Sequence, residues 1–139
     1  MKEVTLITCV SSKRPEILPA KELYDSPYFA AMKRYAKARG YPWFILSAKH
    51  GLVEPETVLE PYDERGLTVK QSQEIAASLS EKGVELVRIT GGTDYTDTLV
   101  PELELEGIDV IEVCRGMGIG RRISELQTLA RSLENEKLC

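Results

Sequence analysis

The chain has 139 residues, 42% hydrophobic and 29% charged, so its length and composition fit one globular domain over residues 1–139. Its formal net charge of −4 excludes a broadly basic protein and leaves a local basic patch as the route to any nucleic-acid contact. No apolar run approaches the roughly 20 residues of a membrane span, so we expect no membrane partner.

The cysteines and the single histidine set the expectations for compartment and metal. Cys9, Cys114 and Cys139 are widely spaced and form no CxxC pair, which is typical of reduced thiols. The amino terminus has no signal-peptide pattern, so the sequence predicts a cytoplasmic protein. It predicts no metal site and no cofactor, and it leaves the oligomeric state open.

The first half of the chain predicts two strands, each with a helix nearby. Residues 4–10 are β-branched and nearly continuously apolar, the pattern of a central parallel strand. Ser26 before Pro27 predicts a helix over residues 27–39 that Gly40 ends. A second strand over residues 43–47 leads into a long irregular loop that extends to about Gly66.

The second half continues this alternation. Thr68 and Gln71 have the spacing of a capping box, which predicts a helix that ends at Gly83. Strands are predicted over residues 84–90 and 108–113. Between them we expect a short helix from about Thr96, which Pro101 interrupts or restarts. The last helix carries apolar residues along one face at Ile119, Ile123, Leu126, Ala130 and Leu133.

Strand and helix alternating four times predict an α/β three-layer sandwich, with a four-stranded parallel sheet and helices on both faces. We expect the strand order 2-1-3-4, with 3-2-1-4 as the alternative. Right-handed crossovers bring every strand-to-helix loop to the carboxyl edge of such a sheet, where ligands bind in open α/β folds. The loops at this edge supply candidate substrate-binding side chains: Ser11, Ser12, Tyr24, Ser47, Lys49 and Tyr62.

A glycine-rich basic turn follows the fourth strand. Gly116, Gly118 and Gly120 alternate before Arg121 and Arg122. Glycines allow close backbone approach, and the free N–H groups of a helix start attract anions, so the turn predicts phosphate binding. Arginines in the first turn of a helix interact unfavourably with the helix dipole, and a bound anion would offset this unfavourable interaction. The alternative is a tight turn whose arginines pair with surface carboxylates.

Lys13, in the first loop, is expected to join this turn in holding phosphate. Lys49 is a further phosphate contact or an ordinary surface cation.

The candidate catalytic residues are His50 and Asp63. His50 is a general acid or base, or a structural histidine that hydrogen-bonds the long loop. Asp63 orients water or stabilises a cationic sugar, or it braces the turn before Gly66. Tyr62 stacks on a base or packs the loop.

Several motifs together resemble a family of short phage, bacterial and archaeal proteins known mainly as a domain of unknown function. They lie at residues 8–13, 19–29, 43–52, 61–63 and 116–122, and include the blocks LSAKHGL, PYD and GMGIGRR. More distantly, the first block is similar to the lyase domain of archaeal tRNA-modifying proteins. The small sheet is similar to uracil-DNA glycosylase-like folds, and the lysine-and-tyrosine pattern to the peroxide-stress DNA-binding proteins.

These likenesses imply a nucleotide or nucleic acid, single-stranded or with a flipped base, as the ligand. They imply hydrolysis of the N-glycosidic bond of a nucleobase, standard or modified, or the handling of a modified base, as the chemistry. The alternative is a non-catalytic nucleotide- or nucleic-acid-binding module, and a third hypothesis is a structural or assembly protein.

Overall fold

The computed structural model describes residues 2–137. In chain order, the elements are β1 Glu3–Thr8, β2 Leu18–Pro19, α1 Ala20–Leu23, α2 Pro27–Arg39, β3 Trp43–Ser47, β4 Gly51–Val53, β5 Val58–Leu59, α3 Val69–Glu81, β6 Leu86–Thr90, α4 Thr93–Leu105, β7 Asp109–Glu112 and α5 Ile119–Glu136.

The central sheet has five strands in the order β4-β3-β1-β6-β7. Strands β3, β1, β6 and β7 are parallel to one another, and β4 pairs antiparallel with β3 at the edge. β1 lies at the centre, and its side chains from Val4 to Thr8 are buried, as expected for a strand covered on both faces.

The sheet has five strands, so the prediction of a four-stranded sheet is wrong. The predicted strand order omits the fifth strand and therefore does not describe the whole sheet. The missing strand is β4, in the segment predicted as an irregular loop. After β3 the chain turns through residues 48–50 and returns as a hairpin that pairs Ser47 with Gly51. Three residues are too few to show a period, so β4 depends on pairing with β3 rather than on its own pattern.

The same loop also contains β5, which pairs antiparallel with β2 in a separate two-stranded sheet. Backbone hydrogen bonds also join α1 to the segment just before β5, from Ala20 to Thr57 and from Lys21 to Pro55. The segment between residues 51 and 66 is therefore partly ordered by partners that lie far away in sequence.

The helices form two layers. α2 packs on α5 and contacts β1, while α3 packs on α4, which contacts β7. Right-handed crossovers explain this division, because the chain moves from β1 to β3 in one direction and from β3 to β6 and β7 in the other. The mixed α/β class with a mostly parallel sheet is confirmed.

Two predicted helix starts and one predicted helix end are confirmed. Ser26 accepts a hydrogen bond from the Phe29 backbone N–H at the start of α2. Thr68 and Gln71 form the full capping box of α3. Gly40 ends α2 in the left-handed conformation.

α4 differs from its prediction. It begins at Thr93 and continues through Pro101 to Leu105 as one helix. Proline removes a single backbone donor, whereas burial of Tyr95, Leu99 and Leu103 along one face stabilises the whole helix. Within residues 2–137, no helix has the length and apolar character needed to cross a bilayer.

Candidate functional site

A crevice of about 470 Å³ opens at the carboxyl edge of the sheet. It lies between the residues that follow β1 and those that follow β6, where the chain reverses its direction of travel across the sheet. Such a reversal is the usual ligand position in open α/β folds. The starts of three long helices border the crevice. They contribute Pro27 of α2, Gly92 before α4, and Ile119 of α5.

Cys9 and Tyr95 contact each other in this crevice. Cys9 follows β1, its side chain is 5% exposed, and its Sγ lies 2.9 Å from the Tyr95 hydroxyl. Burial raises the pKa of Tyr95, and the neighbouring Cys9 raises it further. The phenol therefore stays protonated at neutral pH and can donate a hydrogen bond to the sulfur.

Charged and hydroxyl side chains also line the crevice. Arg65 donates a hydrogen bond to the Ser11 hydroxyl, and Ser12 is exposed beside it. Two exposed carboxylates, Glu64 and Asp94, belong to the loop before α3 and to the first turn of α4. The Leu67 N–H donates to the Asp94 carbonyl oxygen at 3.2 Å, which ties that loop to α4.

Apolar and aromatic residues also line the crevice. Tyr28, Ile119 and Ile123 come from α2 and α5, and Val10 lies two residues after β1. Ile119 is 62% exposed, so an apolar group bound in the crevice would cover it.

A second group of polar side chains is buried. Ser47 donates to the Tyr62 hydroxyl at 2.8 Å, and that hydroxyl lies 2.5 Å from the hydroxyl of Tyr24. The His50 backbone N–H donates to Ser47 Oγ at 3.0 Å, which holds the β3–β4 turn. Burial raises the pKa of Tyr24 to about 12 and also raises that of Tyr62.

Lys13 covers this tyrosine pair. Its ammonium donates to the Val10 carbonyl at 3.0 Å and lies 4.4 Å from the centroid of the Tyr62 ring. Burial lowers the pKa of Lys13, while Cys9 and Asp63 oppose that shift. The cation–π contact explains how a half-buried lysine is stabilised next to two phenols.

The glycine-arginine turn has a structural role at Arg122, which is 9% exposed. Its guanidinium donates to the Gly91 carbonyl at 2.6 Å and the Met117 carbonyl at 2.8 Å, and reaches the Tyr28 hydroxyl at 3.4 Å. Arg122 therefore holds three segments together at the carboxyl edge. Neighbouring Cys114 has φ +63°, a conformation uncommon for residues other than glycine.

The structure divides the predicted site residues into groups. Ser11 and Ser12 line the crevice. Lys13, Tyr24, Ser47 and Tyr62 form the buried group. Lys49 and His50 line a separate groove of about 240 Å³ against α3, although the His50 ring lies edge-on to Tyr62 at 5.6 Å.

The other predicted residues lie around the glycine-arginine turn or in the loop. Gly116 and Arg122 line a cavity of about 210 Å³ beside α4, while Gly118, Gly120 and Arg121 are exposed at the start of α5. Asp63 is exposed in the loop next to Glu64. The roles predicted for all these residues stay predictions.

Sequence reasoning selected neither Glu64 nor Arg65, because nothing in the pattern of an irregular loop marks which side chain turns inward. Asp94 and Tyr95 follow the predicted strand over residues 84–90, and Cys9 lies near the end of the one predicted over residues 4–10. Position at a strand end was the available signal. Among residues 2–137 no cluster of three or more metal-binding side chains occurs.

Fold and crevice together define an α/β protein with a mostly parallel sheet and, at its carboxyl edge, a cleft lined by both polar and apolar side chains. The chain belongs to a family of unknown function, DUF6884, whose profile matches residues 4–128. It is 32% identical over 113 residues to the uncharacterized protein YfjM of Bacillus subtilis strain 168, an alignment covering 71% of this chain and 75% of that protein.

No solved structure matches the chain. The predicted resemblance to a family of unknown function is confirmed. The likeness to glycosylases has no counterpart in these comparisons and stays a prediction.

Proposed function

We propose that the protein is a nucleotide- or nucleic-acid-directed enzyme that hydrolyses an N-glycosidic bond in the crevice between β1 and β6. The observation that carries the proposal is the composition of this one crevice. It combines hydroxyls, a guanidinium, two carboxylates and an apolar surface at the point of an α/β sheet where ligands bind.

The phosphate lies against Ser11, Ser12 and Arg65, near the start of α2. A guanidinium and two hydroxyls can donate to its oxygens, and the N–H groups of a helix start favour negative charge. The base lies against Tyr28 and Ile119, which offer an aromatic ring and an exposed aliphatic side chain.

Asp94 and Glu64 act at the sugar. One carboxylate accepts a proton from water while the water oxygen bonds to C1′ of the sugar. The C1′–N bond breaks, its electron pair stays with the base, and the base takes a proton from solvent or a neighbouring acid. The carboxylates also stabilise the positive charge that develops on the sugar ring. Asp63, one residue from Glu64, is the alternative carboxylate.

The test combines binding with product detection. Thermal shifts are measured with nucleotides, deoxynucleotides and short single-stranded DNA, and released base is sought by chromatography. We expect stabilisation by a phosphate-bearing ligand, and base release that falls by about 100-fold or more in Asp94→Asn or Glu64→Gln. Asp63→Asn tests the alternative, and Glu60→Gln, in the same loop but outside the crevice, is the matched control.

Two results would contradict the proposal. If no phosphate-bearing ligand stabilises the protein, nucleotides and nucleic acids are excluded as its ligands. Stabilisation without base release in any substrate assigns a non-catalytic nucleotide-binding module instead.

A further inference from the structure

The crevice continues into a groove along α2. It shares Ser26 with a neighbouring depression of about 610 Å³, which in turn shares Ala30 and Lys33 with one of about 340 Å³ between α2 and the end of α5. These residues occupy successive turns of one helix. Three neighbouring depressions therefore follow one another along α2, and together they are called the α2 groove.

The charge of the α2 groove changes along its length. In its middle part, two cations (Arg14 and Lys21) face three carboxylates, and Lys33 lies where the middle part meets the far end. At its far end Lys33, Arg34, Lys37 and Lys137 face only Glu134, a net charge of +3 on a chain whose net charge is −4. Positive charge is thus concentrated at the end farthest from the crevice.

Most of this positive charge is not neutralised within the protein. Arg34 pairs with Glu134 through two hydrogen bonds of 2.7 and 3.1 Å. Lys33, Lys37 and Lys137 take part in none of the salt bridges found among residues 2–137.

Lys33 is positioned by its own hydrogen bond and held in a repulsive field. Its ammonium donates to the Lys21 carbonyl at 3.2 Å. Burial lowers the pKa of Lys33, and Lys37, Lys21 and Arg14 lower it further, while Glu22 opposes them. An anion bound in the α2 groove would relieve this repulsion.

We infer that the α2 groove binds the phosphate backbone of a single-stranded nucleic acid whose target nucleotide occupies the crevice. The inference rests on the proposed function and narrows its substrate from a free nucleotide to a strand. α2 has 13 residues and is about 20 Å long, enough for about six stacked nucleotides at ~3.4 Å each. The cations contact phosphates, so this part of the site is independent of sequence.

The experiment compares a strand with a single nucleotide. A fluorescein-labelled 12-residue oligothymidylate is titrated by fluorescence anisotropy at several salt concentrations, and mononucleotide binding is followed by thermal shift. Lys33→Gln/Lys37→Gln is compared with Lys70→Gln/Lys82→Gln, which removes the same charge from α3 and the residue after it, in the other helix layer.

We expect the Lys33/Lys37 variant to lose roughly tenfold in oligonucleotide affinity. The slope of log affinity against log salt should fall by about 1.4, the loss of two phosphate contacts to a single strand. Mononucleotide stabilisation should be unchanged, and the α3 variant should bind the oligonucleotide like the parent. Lys37→Glu alone should also weaken oligonucleotide binding. Because Lys37 is exposed, this variant tests the inference even if Lys33→Gln disturbs folding.

Four outcomes overturn the inference. If the parent binds the longer strand no more tightly than the mononucleotide, the α2 groove does not bind the strand, and the proposed function stands. If both double variants weaken binding of the strand equally, the effect comes from net charge alone. If oligoglutamate displaces the oligonucleotide with equal affinity, the groove is a site for acidic peptides. Binding of neither nucleotide nor strand removes the proposed function as well.

Discussion

Gly91 shows how one residue shapes the edge of the sheet. A Cβ at this position would lie 2.1 Å from Thr8 Cγ2 and 2.6 Å from Thr8 Oγ1, and φ is +156°. The Gly91 carbonyl also accepts the short hydrogen bond from Arg122. The close approach of β1 and β6 behind the crevice therefore requires glycine.

We expect Gly91→Ala to lower the free energy of unfolding by about 3 kcal/mol, because the added Cβ would clash with the buried Thr8 side chain and force it to shift. Urea denaturation measures the change. Gly120→Ala is the control, since its added Cβ meets nothing within 4 Å and alanine favours a helix. Thr8→Ala should restore part of the loss in the double variant, and an unchanged midpoint in Gly91→Ala would show that the clash is absent.

Lys13 and Arg122 illustrate how residue roles depend on distant partners. Both were predicted as phosphate contacts from their positions in basic loops. In the structure one covers a tyrosine ring and the other bonds two backbone carbonyls. A sequence shows that a cation follows a strand, but it does not show whether the nearest acceptor is a ligand oxygen or a carbonyl from another loop.

At the scale of elements, α3 combines local and distant interactions. Its capping box of Thr68 and Gln71 is local and was predictable from sequence. The Gln71 side chain also donates to the Ala48 carbonyl at 2.9 Å, joining α3 to the β3–β4 turn. One residue thus both caps a helix and fixes a hairpin.

Thr68→Ala removes the side-chain acceptor of the Gln71 N–H and should destabilise the protein by about 1 kcal/mol. Chemical denaturation followed by circular dichroism measures this. Thr68→Ser retains the hydroxyl and should stay close to the parent. Equal losses in both variants would mean that the threonine acts through packing rather than capping.

The hairpin of β3 and β4 changes the interpretation of Lys49 and His50. Their position after an apolar strand suggested the start of a long loop over the sheet edge. They instead form an exposed tight turn, and their groove lies against α3, separate from the crevice. The segment that does reach the crevice is the later one at Glu64 and Arg65.

At the scale of the whole molecule, an ion network joins elements near the amino end of the sheet. Glu3 of β1 accepts hydrogen bonds of 3.0 Å from Arg39 of α2 and from Arg88 of β6. Burial raises the pKa of Glu3, but the two arginines lower it more, so the net pKa lies below its ordinary value of 4.5.

Because the folded pKa of Glu3 is depressed, its contribution to stability is present above about pH 4.5 and is lost as pH falls through the folded pKa. We expect Glu3→Gln to cost about 2 kcal/mol at pH 7. The stability difference between parent and variant should shrink below pH 4.5, as measured by denaturation at several pH values. Glu85→Gln, whose carboxylate forms none of the ion pairs found in residues 2–137, is the control, and a pH-independent difference would contradict the network's role.

The predictable part of the fold consists of elements with long local signals. The central strand, α2 with its Ser26 start, and α3 with its capping box each carry enough residues to show their type. The elements that were missed, β2, β4, β5 and α1, have two to four residues each. Such short segments are stabilised by pairing, and pairing depends on residues far away in the chain.

For the candidate site, the sequence determined the edge of the sheet and some of its groups. Right-handed crossovers bring the loops after the parallel strands to one edge of the sheet. Of the two strand orders that the sequence left open, only 2-1-3-4 makes β1 and β6 neighbours, and the structure has them adjacent. Ser11 and Ser12 follow from that rule.

Tertiary structure decided which side chains face the crevice. Glu64, Arg65 and Asp94 line it, whereas Tyr62 is buried and His50 lies on another groove. Local sequence sets the position of a residue along the backbone. The direction of its side chain depends on which partner, from any part of the chain, satisfies its polar atoms or covers its apolar surface.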